Sequence, residues 1–478
     1  MSETIERSMT RQESMAIAEL FADFALGTRY EAIPPSVLTV ARRHILDSIG
    51  LALAARSGVA PRMLMDALAT SAGRGRAIGF ARRLDVRDAV LVNGLLIHGL
   101  DYDDTHMSSV MHASSSCLPA ALAAAAFRTL SGQEVMEAYV IAIEIAARLG
   151  RVTKGVLQSQ GFHPTGLLAG FGASLAFGRH TGLDRKALVM AQGIALAGAP
   201  AVTRQFNLEG SWTKWLSPGL GAASGVTAAQ IAKTGFKAPK FAYEGRYGIL
   251  NTHLENETAG LAAGEALLKS AGTLGSYWET ADLSIKPVPA CLFLHAPVEA
   301  AQQLSREPGF EIGAVERIEV ALPAQAFPVV CDPVETKRHP RSGFESQFSI
   351  YHAVAAALVR GGVTLSEVGE DAIADPTIAA LRDKVHCVVD PQADYPSRFT
   401  ARVHCEMFSG AAISRNIRDN LGSPTRPLTD QDVVKKFLDN NSGLPPLDLE
   451  RCIAMVMSLE ALADIDDLLD HIEKIVPH

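Results

Sequence analysis

The sequence is poor in several features, and each shortage excludes a class of protein. Its net charge is −8, so it has no basic excess of the kind that nucleic-acid-binding proteins carry. Six scattered cysteines form no C-x-x-C pair, so we expect neither a disulfide framework nor a zinc ribbon. The longest apolar run, residues 117–127, is too short to cross a bilayer, and the first fifteen residues lack the apolar segment of a secretory signal. We therefore expect a cytoplasmic protein with no nucleic-acid or membrane partner.

What the sequence does contain is a long helical pattern. The 478 residues are 48% hydrophobic and 20% charged, which is typical of a globular protein with two or three domains. From about residue 15 to residue 270, apolar residues recur at spacings of three and four. Glycine and alanine recur on the same predicted helices, as at Gly219 and Gly221. No strand precedes these two glycines, so they indicate close helix packing and not a nucleotide-binding loop.

The pattern changes near residue 274. Residues 315–322 alternate between apolar and polar side chains, as do 385–389 and 399–407, and this period of two predicts strands. Residues 430–438 and 448–473 return to a helical period. The predicted fold class is therefore mainly α: an all-helical domain (1–274), a smaller inserted α+β lid domain (275–408), and C-terminal helices (409–478) that complete the first domain.

A cluster of acids and histidines lies between two apolar segments. It runs from His98 through Asp101, Asp103 and Asp104 to His112, and an unpaired charge buried there would be costly. The spacing is compatible with a helix end followed by a turn, with metal ligation, or with metal-free acid/base catalysis. Residues 101–104 are similar to the Asp-rich motif of magnesium-diphosphate enzymes. A second such motif and arginines near it are both missing from the sequence, so we favour acid/base chemistry without a metal or cofactor.

Further candidates lie at predicted helix starts. His163 precedes Pro164, and Lys214 falls in the first turn of another helix. A helix N-terminus favours anions and disfavours a lysine, so this placement of Lys214 indicates an anionic ligand. His295 lies in an apolar helix, where a core histidine is the common outcome, and Tyr351 is suited either to packing or to proton donation.

In this order the motifs resemble those of the MmgE/PrpD family, which includes 2-methylcitrate dehydratase, cis-aconitate decarboxylase and iminodisuccinate epimerase. The resemblance covers residues 15–440. Ala113 stands where the family often has proline, and Val288 stands where an aromatic residue is common. The motifs that carry the resemblance are Asn93…His98-Gly-Leu-Asp-Tyr-Asp-Asp-Thr105, His112-Ala-Ser, Leu118-Pro-Ala-Ala-Leu, Gly161-Phe-His-x-Thr-Gly, Thr213-Lys214, Lys286-Pro-x-Pro…His295 and Gln347-Phe-Ser-Ile-Tyr351.

The resemblance implies a homodimer without a cofactor, with an active site between the helical domain and the lid. It implies the active-site residues Asp101, His112, His163, Lys214, His295 and Tyr351, and substrate binding by His163, Lys214 and Lys286. We expect His112, oriented by Asp101, to exchange a proton with the substrate, while His295 and Tyr351 reach in from the lid.

The expected function is that of a hydro-lyase on a small hydroxy-polycarboxylate such as 2-methylcitrate. A cis-aconitate-type decarboxylase or an imino- or aminodicarboxylate epimerase would use the same groups and stays open. Two alternatives from other classes are a magnesium-dependent diphosphate enzyme and an inactive helical scaffold. The expected partner is a small di- or tricarboxylate substrate.

Overall fold

The structure is a computed structural model that describes residues 15–199, 203–206, 211–395 and 398–475. Most of these residues lie in helices, which confirms the mainly α fold class. The longer helices of the N-terminal part are α1 (Ile17–Gly27), α2 (Pro35–Ala55), α3 (Val59–Ala67), α4 (Val86–His98), α5 (Ser114–Ala123), α6 (Gly132–Val152), α7 (Pro164–His180), α8 (Arg185–Ala197), α9 (Thr213–Ala232) and α10 (Glu257–Ala271). Those that follow are α11 (His295–Ser305), α12 (Ile350–Arg360), α13 (Pro376–Arg382), α14 (Asp430–Asn440), α15 (Pro446–Met457) and α16 (Asp466–Ile475).

Glycines allow helix α9 to pack very closely against α4 and α7. A Cβ atom on Gly219 would clash with the backbone of Leu91 in α4, and one on Gly221 would clash with the carbonyl of Gly166 in α7. Any larger residue would force these helices apart. The prediction that the glycines serve packing is confirmed. As a consequence, the end of α4 lies beside the first turn of α9.

Four strands form one mixed sheet: β1 (Val315–Leu322), β2 (Val385–Val389), β3 (Ala401–Met407) and β4 (Ala412–Ile417). Their order across the sheet is β2-β1-β3-β4, in which β1 and β2 are parallel and the other neighbours are antiparallel. Buried and more exposed side chains alternate along β3 because one face of the sheet is packed against helices, including α11.

Buried apolar side chains form two hydrophobic cores. The first core draws on residues from Ile17 to Ile285 and again from Leu428 to Ile475, so the C-terminal helices pack back onto the N-terminal ones. The second core runs from Val288 to Ile417 and includes the sheet. Strand β4 therefore belongs to the second core although it lies beyond residue 408. The domain boundaries at 274 and 408 stay a prediction.

Three local features differ from what the sequence pattern indicates. Helix α9 runs without interruption through Pro218, although proline inside a helix commonly interrupts or kinks it. Residues 277–285 are compatible with a strand, but they contain a 3-10 turn at Glu279–Asp282, and only Leu283–Ser284 pairs with Thr105–His106. The apolar pattern predicts that helix α5 begins at residue 118, but it begins at Ser114, because the Asp104 carboxylate accepts the backbone N–H of Ser114 at 3.1 Å. Among the described helices, none combines the length and apolarity needed to cross a bilayer.

Candidate active site

Helix ends bring the polar residues together. Helix α4 ends at His98, His163 directly precedes α7, and Lys214 is the second residue of α9. The imidazole centroid of His98 lies 4.8 Å from that of His112 and 5.9 Å from that of His163. We call the following six residues the central cluster: His98, Asp101, His112, His163, Lys214 and Lys286.

Asp101 is the common partner of two buried lysines. Its Oδ1 accepts hydrogen bonds from Lys214 Nζ at 2.7 Å and from Lys286 Nζ at 2.8 Å. Burial acts to raise the pKa of Asp101, but the two ammonium charges outweigh it and hold the pKa well below its usual range. For Lys286, burial lowers the pKa, and the charges of Asp101 and Asp103 more than offset this effect. Asp101 and Lys286 are therefore both charged at neutral pH.

His98 connects this ion-pair centre to Asp103. The Nδ1 atom of His98 lies 2.8 Å from a carboxylate oxygen of Asp103, and its Nε2 atom lies 3.2 Å from Lys214 Nζ. An ammonium group can only donate, so Nε2 is the acceptor and Nδ1 carries the proton. Burial, followed by the charge of Lys214, lowers the pKa of His98 well below its usual value. His98 is thus a neutral imidazole with a fixed tautomer.

His112 has one nitrogen held by the backbone. Its Nδ1 lies 2.8 Å from the carbonyl oxygen of Asp104, which can only accept, so Nδ1 carries the proton and Nε2 has a free lone pair. Burial, then the charge of Lys286, lowers the pKa of His112 well below its usual value. The Asp104 carbonyl therefore orients His112 through a hydrogen bond, and an additional orienting role of the Asp101 charge stays a prediction. The nearest carboxylate in an ion-pair geometry is Asp103, at 3.9 Å.

His163 forms the third side of the imidazole group. Its Nδ1 lies 2.7 Å from the hydroxyl of Ser217 on helix α9, and its ring packs edge-on against Phe206. Burial, the proximity of His98 and the charge of Lys214 lower the pKa of His163 well below its usual value. The cluster therefore combines three neutral imidazoles with two ammonium groups.

The three imidazoles lie close enough together to be compared with a metal site. One nitrogen from each of His98, His112 and His163 lies within 4.8 Å of the others. A divalent ion bound to all three would compete with Lys214 for the Nε2 lone pair of His98 and would lie beside two ammonium groups. The charge arrangement therefore suits an anion far better than a divalent cation.

His295 and Tyr351 lie outside the central cluster. His295 Nε2 lies 3.2 Å from the carbonyl oxygen of Ala290, and burial lowers its pKa to about 3. The hydroxyl of Tyr351 donates to the carbonyl of Cys331 at 3.3 Å inside the second core. Within the described parts of the chain, no hydrogen bond or ring contact joins either side chain to the cluster. Their catalytic roles, like those of the other site residues, stay predictions.

A cleft of about 1730 Å³ is lined by residues of the helical N-terminal part, among them Arg151 and Arg204, and by residues that follow Asp282, among them Phe293 and Phe348. The central cluster does not line it, but Phe348 does, and Lys214 Nζ lies 5.7 Å from the centroid of the Phe348 ring. Arg204 and Lys337 contribute positive charge to the same cleft. The cleft also contains carboxylates, such as Asp332 and Asp394, so its lining has both signs of charge.

Two residues of the site were not predicted from the sequence. His98 and Asp103 were included in the acid/histidine cluster, but neither was assigned a role, although together they fix the imidazole that contacts Lys214. The signal in the sequence is their spacing of five residues across the end of a helix, which allows the two side chains to meet. This spacing indicates a site only once Lys214, more than a hundred residues later, is known to lie beside His98.

Known proteins are similar to this chain over most of its length. The sequence profile of the MmgE/PrpD N-terminal domain matches residues 19–262, and that of the C-terminal domain matches residues 288–461. A cis-aconitate decarboxylase of Aspergillus terreus is 27% identical over 459 residues, which cover 92% of either protein. A cis-aconitate decarboxylase-like protein of Aspergillus oryzae is 26% identical over 455 residues, 91% of this chain and 93% of the relative. A cis-aconitate decarboxylase of Homo sapiens is 27% identical over 403 residues, 80% of this chain and 78% of the relative. The two profiles cover most of both cores, and this chain therefore belongs to the MmgE/PrpD family, as its motifs predicted.

Proposed function

We propose that the protein is a lyase that removes carbon dioxide from a small unsaturated tricarboxylate of the cis-aconitate type. The observation that carries the proposal is the buried Asp101 carboxylate held between two ammonium groups, with three neutral imidazoles beside it. The names of the relatives favour decarboxylation over the hydro-lyase reaction that the motifs alone suggested. The decarboxylase alternative therefore becomes the leading function.

The charge balance of the cluster supports a polyanionic substrate. Lys214 and Lys286 carry two positive charges against the single negative charge of Asp101. Burial raises the pKa of Asp103, which disfavours the charged form of this neighbouring carboxyl. Carboxylates would restore neutrality in a site where water is largely excluded. His163, Lys214 and Lys286 are the groups that bind them in this proposal.

The chemistry of such a substrate requires one proton. In cis-aconitate, the carboxylate on the CH₂ group lies one carbon from the double bond. When its C–C bond breaks and CO₂ leaves, the released electron pair forms a new double bond to the central carbon. The electron pair of the original double bond then takes a proton at the far carbon. The reaction consumes one proton and needs neither an oxidant nor a reductant.

His112 is the proposed proton donor. In the free protein its Nε2 is unprotonated, because burial and neighbouring cations lower its pKa. A bound tricarboxylate reverses part of that effect, since nearby negative charge raises the pKa of a histidine. His112 then takes a proton at Nε2 when the substrate binds and delivers it to carbon as CO₂ leaves. The Asp104 carbonyl keeps the ring oriented throughout.

Two further features belong to the proposal. The part of the chain that contains the second core acts as a lid over the central cluster in this proposal, because the Phe348 ring of that part lies 5.7 Å from Lys214 Nζ. The protein works as a homodimer without a metal or cofactor, as the family resemblance implies. Light scattering after size-exclusion chromatography tests the dimer, since a monomeric mass at working concentration contradicts it.

One experiment separates the candidate reactions. The protein is incubated in deuterated water with cis-aconitate or with 2-methylcitrate, and proton NMR is combined with measurement of released CO₂. We expect CO₂ from cis-aconitate and one deuterium on the product carbon that was protonated. Water loss from 2-methylcitrate without CO₂ would instead make the protein a hydro-lyase, and deuterium exchange without either loss would indicate an epimerase. Activity that EDTA abolishes would contradict the metal-free mechanism.

A further inference from the structure

A buried lysine from the C-terminal helices reaches the loop that carries Asp101. Lys436 on helix α14 donates to Asp47 Oδ1 at 2.7 Å and to the backbone carbonyl of Tyr102 at 2.8 Å. Its Nζ atom also lies 3.8 Å from the centroid of the Tyr102 ring. Both the backbone and the ring of Tyr102 are therefore held by a group that does not belong to the central cluster.

Tyr102 in turn contacts the segment that carries Lys286. The Tyr102 hydroxyl donates to the carbonyl of Pro287 at 3.0 Å, while Lys286 Nζ donates to the carbonyl and to Oδ1 of Asp101, both at 2.8 Å. Residues 101–102 and residues 286–287 are thus joined in both directions. The Tyr102 side chain donates to one segment, and the Lys286 side chain donates to the other. We call this set of hydrogen bonds between residues 101–102 and 286–287 the loop bridge.

The backbone of Asp101 needs such support. Its φ angle is +49°, in the left-handed region that non-glycine residues adopt only at a cost. Such a conformation persists when surrounding contacts enforce it. The loop bridge supplies those contacts and, at the same time, sets the distance between the Asp101 carboxylate and the Lys286 ammonium group.

We propose that Tyr102 is a positioning residue that fixes the spacing of Asp101 and Lys286 through its hydroxyl. The proposal rests on the proposed function in one respect, because the site being positioned is the one assigned to decarboxylation. A hydroxyl that only stabilises the fold would affect unfolding and leave turnover unchanged. A positioning hydroxyl affects turnover more than substrate binding, since small displacements of pre-organised groups weaken contacts with the transition state.

The test compares Tyr102→Phe with Tyr243→Phe. Tyr243 is a matched control, because it is also buried and its hydroxyl also donates to one internal partner, Gln192 Oε1 at 2.8 Å. We expect Tyr102→Phe to lower kcat for CO₂ release about fivefold, the equivalent of one hydrogen bond, and to change KM less than about twofold. Tyr243→Phe leaves both constants unchanged.

A second readout does not depend on the reaction. Hydrogen–deuterium exchange followed by mass spectrometry measures how firmly residues 99–106 and 283–290 are held in each variant. We expect exchange in both segments to be about fivefold faster in Tyr102→Phe and unchanged in Tyr243→Phe. If the wild-type protein releases no CO₂ from cis-aconitate, the proposed function fails while this measurement still decides the role of Tyr102. Unchanged exchange in both segments, or unchanged kcat in an active enzyme, overturns the proposal.

Discussion

The two cores treat their buried polar side chains differently. Around the first core, the polar groups of the central cluster contact one another: Asp101 meets two lysines, and His98 meets both Asp103 and Lys214. In the second core, His295 and Tyr351 each form a hydrogen bond with a backbone carbonyl, and their ionisable neighbours act without one, as Arg338 does over the Tyr351 ring at 4.9 Å. The difference separates side chains that form one hydrogen-bonded polar network from side chains whose hydrogen bonds go to the backbone. The predictions below test this comparison.

The largest expected effect is on turnover in His112→Ala. Removing a general acid that delivers the proton costs roughly 10²–10⁴ in rate, and we expect kcat for CO₂ release to fall by a factor in this range. His352→Ala is the matched control, because His352 is a buried histidine of the second core whose Nε2 lies 2.7 Å from the carbonyl of Glu367. The control keeps its turnover once any loss of stability is accounted for. Near-native kcat in His112→Ala would show that His112 is not the proton donor.

Lys214→Met is expected to have the next largest effect. Loss of one charged donor aimed at substrate negative charge costs about 10²–10³ in kcat/KM, while Asp101 keeps Lys286 as its partner in the folded protein. Lys233→Met, near the other end of the same helix, is the control, because Lys233 is exposed and donates to the carbonyl of Thr181. Equal activity of the two variants would mean that Lys214 serves only to pair Asp101.

We expect the free energy of unfolding to fall on acidification, chiefly because of the three histidines of the central cluster. Burial lowers the pKa of His98, His112 and His163 in the folded state. Below about pH 6.5 these histidines therefore bind protons in the unfolded chain and stay unprotonated in the folded chain, which favours unfolding. The contribution of these histidines to the free energy of unfolding is fully present above about pH 6.5. It decreases as the pH falls, by up to about 1.4 kcal/mol per histidine for each pH unit.

Urea unfolding at pH 7.5, 6.5 and 5.5 measures this dependence. In His112→Ala we expect a shallower loss of stability between pH 6.5 and 5.5, by the share of one histidine. His295 and His352 contribute in the same direction from the second core, since burial lowers both of their pKa values. An identical pH dependence in wild type and His112→Ala would show that His112 titrates normally in the folded protein.

The smallest effect is expected for Tyr351→Phe. Because the Tyr351 hydroxyl donates to the Cys331 carbonyl, its removal should change kcat less than about threefold, within the range of one weak hydrogen bond. The same activity assay measures it, beside Tyr102→Phe. A loss above about a hundredfold would exceed the effect of such a bond and would place Tyr351 against the substrate. In that case a residue of the second core would take part in the reaction, and the contrast between the two cores would not hold.

Much of the fold was predictable because it depends on local pattern. Apolar residues at spacings of three and four identified the helices, and alternation identified β1 and β2 with the bounds that the structure has. Local pattern failed where a distant residue determines the structure. Helix α5 begins early because the Asp104 carboxylate accepts the Ser114 amide, and the segment near residue 280 turns because the Glu144 carboxylate accepts amides of Glu279 and Thr280.

The sequence by itself determined the helical class, the family and a short list of acids, lysines and histidines. Tertiary structure decided which of them meet. Glycine contacts between α4, α7 and α9 bring His98, His163 and Lys214 together, although they are far apart in the chain. The same packing leaves Tyr351 in another core. The physical reason is that the partners of a buried charge depend on how helices cross, which neither composition nor periodicity records.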